Sequence, residues 1–569
     1  MFRKSARGGI YPLFILFFSG SVFGAETATS NQHHNGPPSE WIFFGGKIFT
    51  SERHRPWAQA IAIRDGRILE VGGNQRILRL ARKRTKVVDL EGRVVIPGLN
   101  DAHAHVAFFL NSTEKVNGPD FLPGPGPDAA GIYALVGAKA SVTPPGTWIT
   151  GVFGDAFIDD PLANRFELDK VCPHHPVYLY NWAGHGVLLN SLGMALAGIA
   201  EDEPDPPGGF YERVAGSDII NGFLHEYAEH RFSRYFKGTE PIANVRNQYL
   251  AYGQAVAGFG TTSIQDMAIG FTKYQSEEIL SGIDLPIRWH DICFPLDPEE
   301  SCDSGLGPLM VHDPSNRLVS SGIKWITDGS PIERFANVRE PYADLAGWFG
   351  IFNWSDELSA ILTRSRHGHP VRNQPVLHAV GDQALENILY GLDAFHGTWK
   401  NRRVRIEHGD LIMHDLMPQI KRHDVVVVQN PLHFSVGATL LARFGPARFA
   451  LIQPFRTLLD EGVVLALGSD FVFGPANPFL DIFFAVTHPS NPDEAISVEE
   501  AVIAYTWGSA YAEFQEHVKG TLSHGKHADL AVLSQDIFTV PAPAILSTVS
   551  VLTMVGGEIV HDDGSLALP

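Results

Sequence analysis

Two histidines, His103 and His105, stand two residues apart at the end of an apolar stretch, VVIPGLNDAHAH (94–105). Side chains at i and i+2 share one face of a strand, so both imidazoles can converge on one point. In a chain with 25 histidines, one His-x-His carries little weight by itself. Its company adds the weight. His378 lies in PVLHAVGD (375–382), His408 in VRIEHGD (404–410), and Asp470 closes VVLALGSD (463–470). Lys324, early in GIKWITDG (322–329), faces the same interior if the strand register holds. The intervals from Lys324 onward are one to two βα units of about 30 residues. Four imidazoles and a carboxylate at the ends of nearby strands form the donor set of a divalent metal site. With only three cysteines in the chain, the ligands are nitrogen and oxygen rather than thiolate.

For these groups to meet, several strands must bring their ends together. The segments 94–105, 261–267, 285–293, 322–329, 375–382, 404–410, 425–431 and 463–470 are apolar runs, most ending in polar residues. Helical-period segments such as Asp382–Phe395 and Phe455–Glu461 lie between several of them. This alternation predicts an α/β fold, a (β/α)8 TIM-type barrel over residues 96–510, with the active site at the strand C-terminal ends. The stretch 107–255 is far too long for a βα loop and is expected to be a large insertion after the first strand. Its Trp148, Phe153, Phe157, Tyr178, Tyr180, Trp182, Phe210 and Tyr211 suit a hydrophobic or aromatic amide, or equally a subdomain core.

Short alternating segments with Asp65-Gly66 and Glu91-Gly92 turns run from Trp41 to Val95, and a similar texture returns at 529–534 and 549–560. Residues 26–95 and 511–569 are therefore expected to build one small β-sandwich domain from both chain ends. At the N-terminus, Arg3, Lys4 and Arg7 precede the apolar run Ile10–Phe23, which is followed by Gly24 and Ala25. That is the pattern of a signal peptide over 1–25, predicting export to the periplasm or beyond, with no stable membrane span after its removal. Export makes a disulfide feasible; whether Cys293 and Cys302 pair is left open. The composition, 44% hydrophobic and 19% charged with 56 Gly and 38 Pro, excludes a disordered chain or coiled coil. A net charge of −19 argues against a nucleic-acid partner.

The sequence resembles the metal-dependent amidohydrolase superfamily, and within it the amidohydrolase-3 group that includes enzymes like N-substituted formamide deformylase. The matching segments are Ile96 to His105, Gly322-Ile323-Lys324 with Asp328-Gly329-Ser330, His378 to Asp382, Ile406-Glu407-His408-Gly409, Gly468-Ser469-Asp470, and Gly520-Thr521-Leu522 followed by Ala528-Asp529-Leu530. Their order and spacing, from about residue 40 to 565, make the match specific. The resemblance implies that His103 and His105 bind a first metal ion and His378 and His408 a second. Asp470 would bind the first and act as general base, the catalytic residue. Lys324 matches a position where the family can carry an N-carboxylated lysine, whose carbamate could bridge two ions. One or two divalent ions are implied, zinc being the expected one, together with a small-molecule amide substrate; a homo-oligomer is compatible with it. His185, in NWAGHGVLLN, and Glu226, in GFLHE, match segments that resemble substrate-binding elements, with ordering of the insertion as the other reading.

The implied chemistry is hydrolysis of a non-peptide carbon–nitrogen bond, such as an N-acyl or N-formyl amide, by a metal-activated water. Deamination, cyclic-amide hydrolysis or isomerisation would use the same centre; a non-catalytic binding protein would not need a general base. Asp266 is expected to be a hydrogen-bonding residue of the barrel rim, and Arg456 to pin its helix. The segment Asp328-Gly329-Ser330 continues as Pro331-Ile332-Glu333-Arg334 where many relatives have Leu-Gly-Ser-Arg, a departure that leaves the substrate open.

Overall fold

A computed structural model describes residues 40–106, 126–302, 317–470 and 476–569. The expected signal peptide lies outside the described residues. None of the described helices is long and apolar enough to cross a membrane.

Eight parallel strands follow one another in sequence order in a single sheet: β1 (Leu99–Ala104), β2 (Thr261–Met267), β3 (Arg288–Cys293), β4 (Leu318–Ile326), β5 (Pro375–Ala379), β6 (Arg405–His408), β7 (Val426–Gln429) and β8 (Leu465–Leu467). Parallel strands covered on both faces read as unbroken β-branched runs, and Val425–Val428 is one. The ends of the sheet meet through β1 and the segment after β8. Asp470 N–H donates to the His103 carbonyl at 2.9 Å, and Ser469 donates to Asp101 through its N–H (2.9 Å) and its hydroxyl (2.6 Å). Gly468 permits this approach: a Cβ there would lie 2.4 Å from the His103 nitrogen.

The first expected strand, 94–105, is two strands. Val94–Pro97 belongs to the β domain and only Leu99–Ala104 to the barrel. The chain changes sheet at Gly98, where a Cβ would sit 2.0 Å from the Thr262 hydroxyl. Val94–Pro97 pairs antiparallel with Leu530–Leu533 and parallel with Lys47–Phe49, so both chain ends share one sheet. A second sheet is built from Arg67–Gly72, Ala60–Arg64, Trp41–Phe44 and Lys86–Asp89. One apolar core, including Phe43, Ile61, Val95, Val532 and Leu552, fills the space between the two. The Asp65-Gly66 turn has positive φ at both residues (53° and 70°), as a tight two-residue hairpin demands. A buried ion pair, Arg288 Nε to Asp529 Oδ2 at 2.6 Å, ties the start of β3 to this domain.

The insertion carries its own five-stranded sheet, in the order Gly209–Arg213, Ile220–Glu226, Gly186–Leu189, Val177–Asn181 and Ile149–Phe153. Phe153, Phe157, Tyr178, Tyr180 and Tyr211 are buried in cores, which accounts for most of the aromatic density without a ligand. The helix Ile242–Ala257, which begins in the 107–255 stretch, packs through Val245, Tyr249, Tyr252 and Val256 against Ile264 and Trp289 of β2 and β3, and so serves the barrel. Cys293, closing β3, is disulfide-bonded to Cys302, with Cα atoms 5.8 Å apart; Cys172 is a free, buried thiol.

Candidate metal centre

On β6 the alternation runs inward: Arg405 and Glu407 point into the barrel, fully buried, with Ile406 in the apolar core. Arg405 clamps the Glu407 carboxylate through Nε (2.8 Å) and Nη2 (3.0 Å). The other partner of that carboxylate is His103, whose Nδ1 lies 2.6 Å from Glu407 Oε2. A carboxylate facing an imidazole accepts, so Nδ1 of His103 carries the proton and Nε2 the lone pair. His105 is arranged alike, with Nδ1 3.1 Å from the Met267 carbonyl. The two Nε2 atoms face each other at 3.1 Å, and Asp470 Oδ1 lies 3.5 and 3.6 Å from them. Burial, reinforced by Lys324, holds His103 well below the usual imidazole range. Burial likewise pulls His105 down to about 4, against the opposing charge of Asp470. Three electron-rich atoms thus converge with no proton between them, an arrangement that fits a cation. His103, His408 and Asp470 also offer ligand atoms that all lie within 4.8 Å of one another.

The other side of the mouth is arranged differently. Lys324 on β4 is fully buried, and its ammonium nitrogen has no hydrogen-bond partner among the described residues. Burial lowers it to about 8, although Glu407 and Asp470 favour its charge. His378 Nε2 also makes no hydrogen bond, its nearest carboxylate being Asp328 Oδ1 at 3.5 Å. Asp328 is itself committed to the backbone N–H groups of Val380, Gly381 and Asn337. The His408 ring lies 4.4 Å from that of His378 and 4.6 Å from that of His103, between centroids. Its Nδ1 donates to Asn430 Oδ1 at 2.9 Å. Both His408 (φ 68°) and Asp470 (φ 47°) sit in the left-handed region, a strain that proteins keep mainly where function needs the geometry.

His185, preceding the strand Gly186–Leu189, brings the insertion to this centre: its ring lies 5.0 Å from that of His378. Its Nδ1 is 3.1 Å from Glu226 Oε1, and Asn353 donates to Glu226 Oε2 at 2.9 Å. Burial pulls His185 down, but the carboxylates around it, Glu226 first and then Glu333 and Glu229, together outweigh it and raise the imidazole to about 9. Glu226 is fully buried behind His185, so it holds that ring rather than opening to the mouth. Glu333, on the loop after β4, is buried and bonded to Ser330 and to Asn181 of the insertion.

Asp266 accepts from Val106 N–H at 2.9 Å, directly after His105, and Arg456 is bonded to Glu500 at 2.5 Å. Both behave as read from sequence. From sequence, Arg405, Asp410 and His433 were not singled out, and Asp101 and Glu407, though inside the matching segments, carried no role. Parity could not have found Arg405 and Glu407, since His408 has the opposite parity on β6 and leaves the strand alternation through its positive φ of 68°. His433 follows β7 in the helical turn Pro431–Val436, with Nδ1 2.9 Å from Asp410 Oδ2 and Nε2 3.5 Å from Asp470 Oδ2. Burial lowers it, but Asp410 and Asp470 together outweigh that and raise it to about 10.

Residues 86–561 match a family described as the amidohydrolase family. The chain is 25% identical over 548 residues to the putative amidohydrolase YtcJ of Bacillus subtilis strain 168, covering 92% of this chain and 99% of that one. It is 25% identical over 534 residues to the N-substituted formamide deformylase of Arthrobacter pascens, covering 87% and 93%. An uncharacterized metal-dependent hydrolase from Pyrococcus furiosus shares the fold, with a TM-score of 0.63 at 21% identity over 88% of this chain and 100% of that chain.

Proposed function

The chain belongs to the amidohydrolase family, and from that premise we propose that it is an exported, metal-dependent hydrolase of non-peptide carbon–nitrogen bonds, acting on N-acyl or N-formyl amides. The observation that carries the reading is the convergence of His103 Nε2, His105 Nε2 and Asp470 Oδ1, whose lone pairs face one another in a partly buried site. His103, His105 and Asp470 would hold a first divalent ion, and His378 and His408 a second, with zinc suited to this nitrogen and oxygen set. A bound ion supplies Lewis acidity and a water acidic enough to lose its proton near neutral pH.

The chain's own groups do the rest. Asp470 accepts the proton of the attacking water and delivers it to the leaving nitrogen. Glu407 and the Met267 carbonyl hold the two rings so that neither Nε2 turns away. His185, kept protonated at Nδ1 by Glu226, faces the substrate from the insertion and donates to its carbonyl oxygen. Lys324 would join as a ligand if its neutral amine added to carbon dioxide and lost a proton, forming a carbamate. The basic and apolar segment before Gly24 and the Cys293–Cys302 bridge support export to an oxidising compartment. The relative named N-substituted formamide deformylase supports the formyl end of the substrate range.

The test is a panel of N-formyl amines, N-acyl amines and cyclic amides, offered to protein purified without chelator. Hydrolysis of the acyclic amides, lost on chelation and restored by zinc, is the expected outcome. Turnover of cyclic amides alone, or acyclic hydrolysis that survives full metal removal, would overturn it.

A further inference from the structure

The Asp470 carboxylate has two oxygens with different surroundings. Oδ1 faces the Nε2 atoms of His103 and His105. Oδ2 lies 3.7 Å from His408 Nδ1 and 3.5 Å from His433 Nε2. His408 cannot be its holder, because its Nδ1 proton is already committed to Asn430 Oδ1. Asn430 cannot turn to release it, since its amide nitrogen donates to the Gly468 carbonyl at 2.8 Å.

His433 is free of that conflict. Its Nδ1 lies 2.9 and 3.2 Å from the two oxygens of Asp410, a buried carboxylate two residues past His408. Its ring stacks on His408, with centroids 5.4 Å apart and planes at 21°. The turn that carries it is anchored as well: Leu432 N–H donates to Asp481 at 2.8 Å and Gln453 to the Asn430 carbonyl at 2.8 Å. With a carboxylate on each side, His433 can donate from both nitrogens, Nδ1–H to Asp410 and Nε2–H to Asp470.

We propose that His433, oriented by Asp410, is a positioning residue for Asp470: its Nε2–H holds Oδ2 so that Oδ1 is presented where the nitrogens of His103 and His105 converge. A carboxylate held at one oxygen keeps the other on target; unheld, it rotates about Cβ–Cγ. The inference rests on the metal-centre reading above.

Cobalt(II) is the probe, since it takes imidazole and carboxylate ligands and its visible absorption reports the ligand field. Wild-type protein should bind cobalt with a defined band. His433→Ala should bind it about tenfold more weakly and shift the band, the size of effect seen when a residue supporting a metal ligand is lost. His433→Gln, which keeps an N–H at similar reach, should restore the band, and Asp410→Asn should fall between. Circular dichroism and melting temperature identify variants that are folded. A folded His433→Ala with wild-type affinity and spectrum overturns this inference alone, as does a folded His433→Gln that restores neither. A folded wild-type protein that takes up no cobalt overturns the metal-centre reading, and this inference with it.

Discussion

On the β1 side of the barrel mouth, His103 and His105 each have an acceptor at Nδ1, in Glu407 and the Met267 carbonyl. Across the mouth, on β4 and β5, Lys324 Nζ and His378 Nε2 have no hydrogen-bond partner among the described residues. Burial does not explain the difference, since His103 and Lys324 are both fully buried and only His103 is held. The first side has its tautomers and ring planes set by the chain alone, and is ready for a cation as folded. On the second, an ammonium stands where a ligand would be needed, and an ammonium repels a cation. The contrast teaches that a shared set of side chains is not one uniform site: His103, His105 and also His408 are held by neighbours, whereas Lys324 waits on its own chemistry.

The change with the largest expected effect is Asp470→Asn, which removes the proposed base while preserving shape. Hydrolysis of a responsive amide should fall about 10²–10⁴-fold in kcat/KM. A loss of less than tenfold would mean that another residue takes the proton, and the prepared half would lose its assigned role. Next comes Glu407→Gln, aimed at what holds His103. Metal affinity should drop about 10–100-fold, as expected when the partner of a ligating histidine is lost, read by competition with a chelating dye. An unchanged affinity would show that the orientation of His103 does not depend on Glu407.

The smallest effect concerns the footing shared by both halves. Burial alone would raise the Asp529 carboxyl, but Arg288 outweighs it and holds it at about 2. A folded value below the unfolded one adds stability that is complete above about pH 4 and fades as pH falls toward 2. That contribution is about 2 kcal/mol, visible as a fall in melting temperature over this range that Asp529→Asn should not show. Equal pH dependence in both proteins would assign the acid sensitivity elsewhere.

The barrel was legible because parallel strands leave a strong trace, apolar runs that end in polar residues, and all eight segments are strands. The break at Gly98 was not. Val94–Pro97 and Leu99–Ala104 carry one continuous strand pattern, and the need for glycine between them arises from Thr262, far away in sequence. The histidines proposed as ligands stood out by their place at strand ends. Arg405 and Glu407 did not, because alternating charged and apolar residues resemble a solvent-facing strand, whereas inside this barrel they satisfy one another. His433 gave no trace, since its two partners, Asp410 and Asp470, lie on the loops after β6 and β8 and meet it only in the folded mouth. The pairing of Cys293 with Cys302 was undecidable from three cysteines and depends on the loop after β3 returning.

The most direct test of the contrast is metal content per chain in protein purified without chelator, measured together with Lys324→Ala and His103→Ala. About two ions are expected in the wild type, about one retained in Lys324→Ala, and a larger loss in His103→Ala. A folded wild type without metal, or His103→Ala holding as much as the wild type, would contradict that expectation.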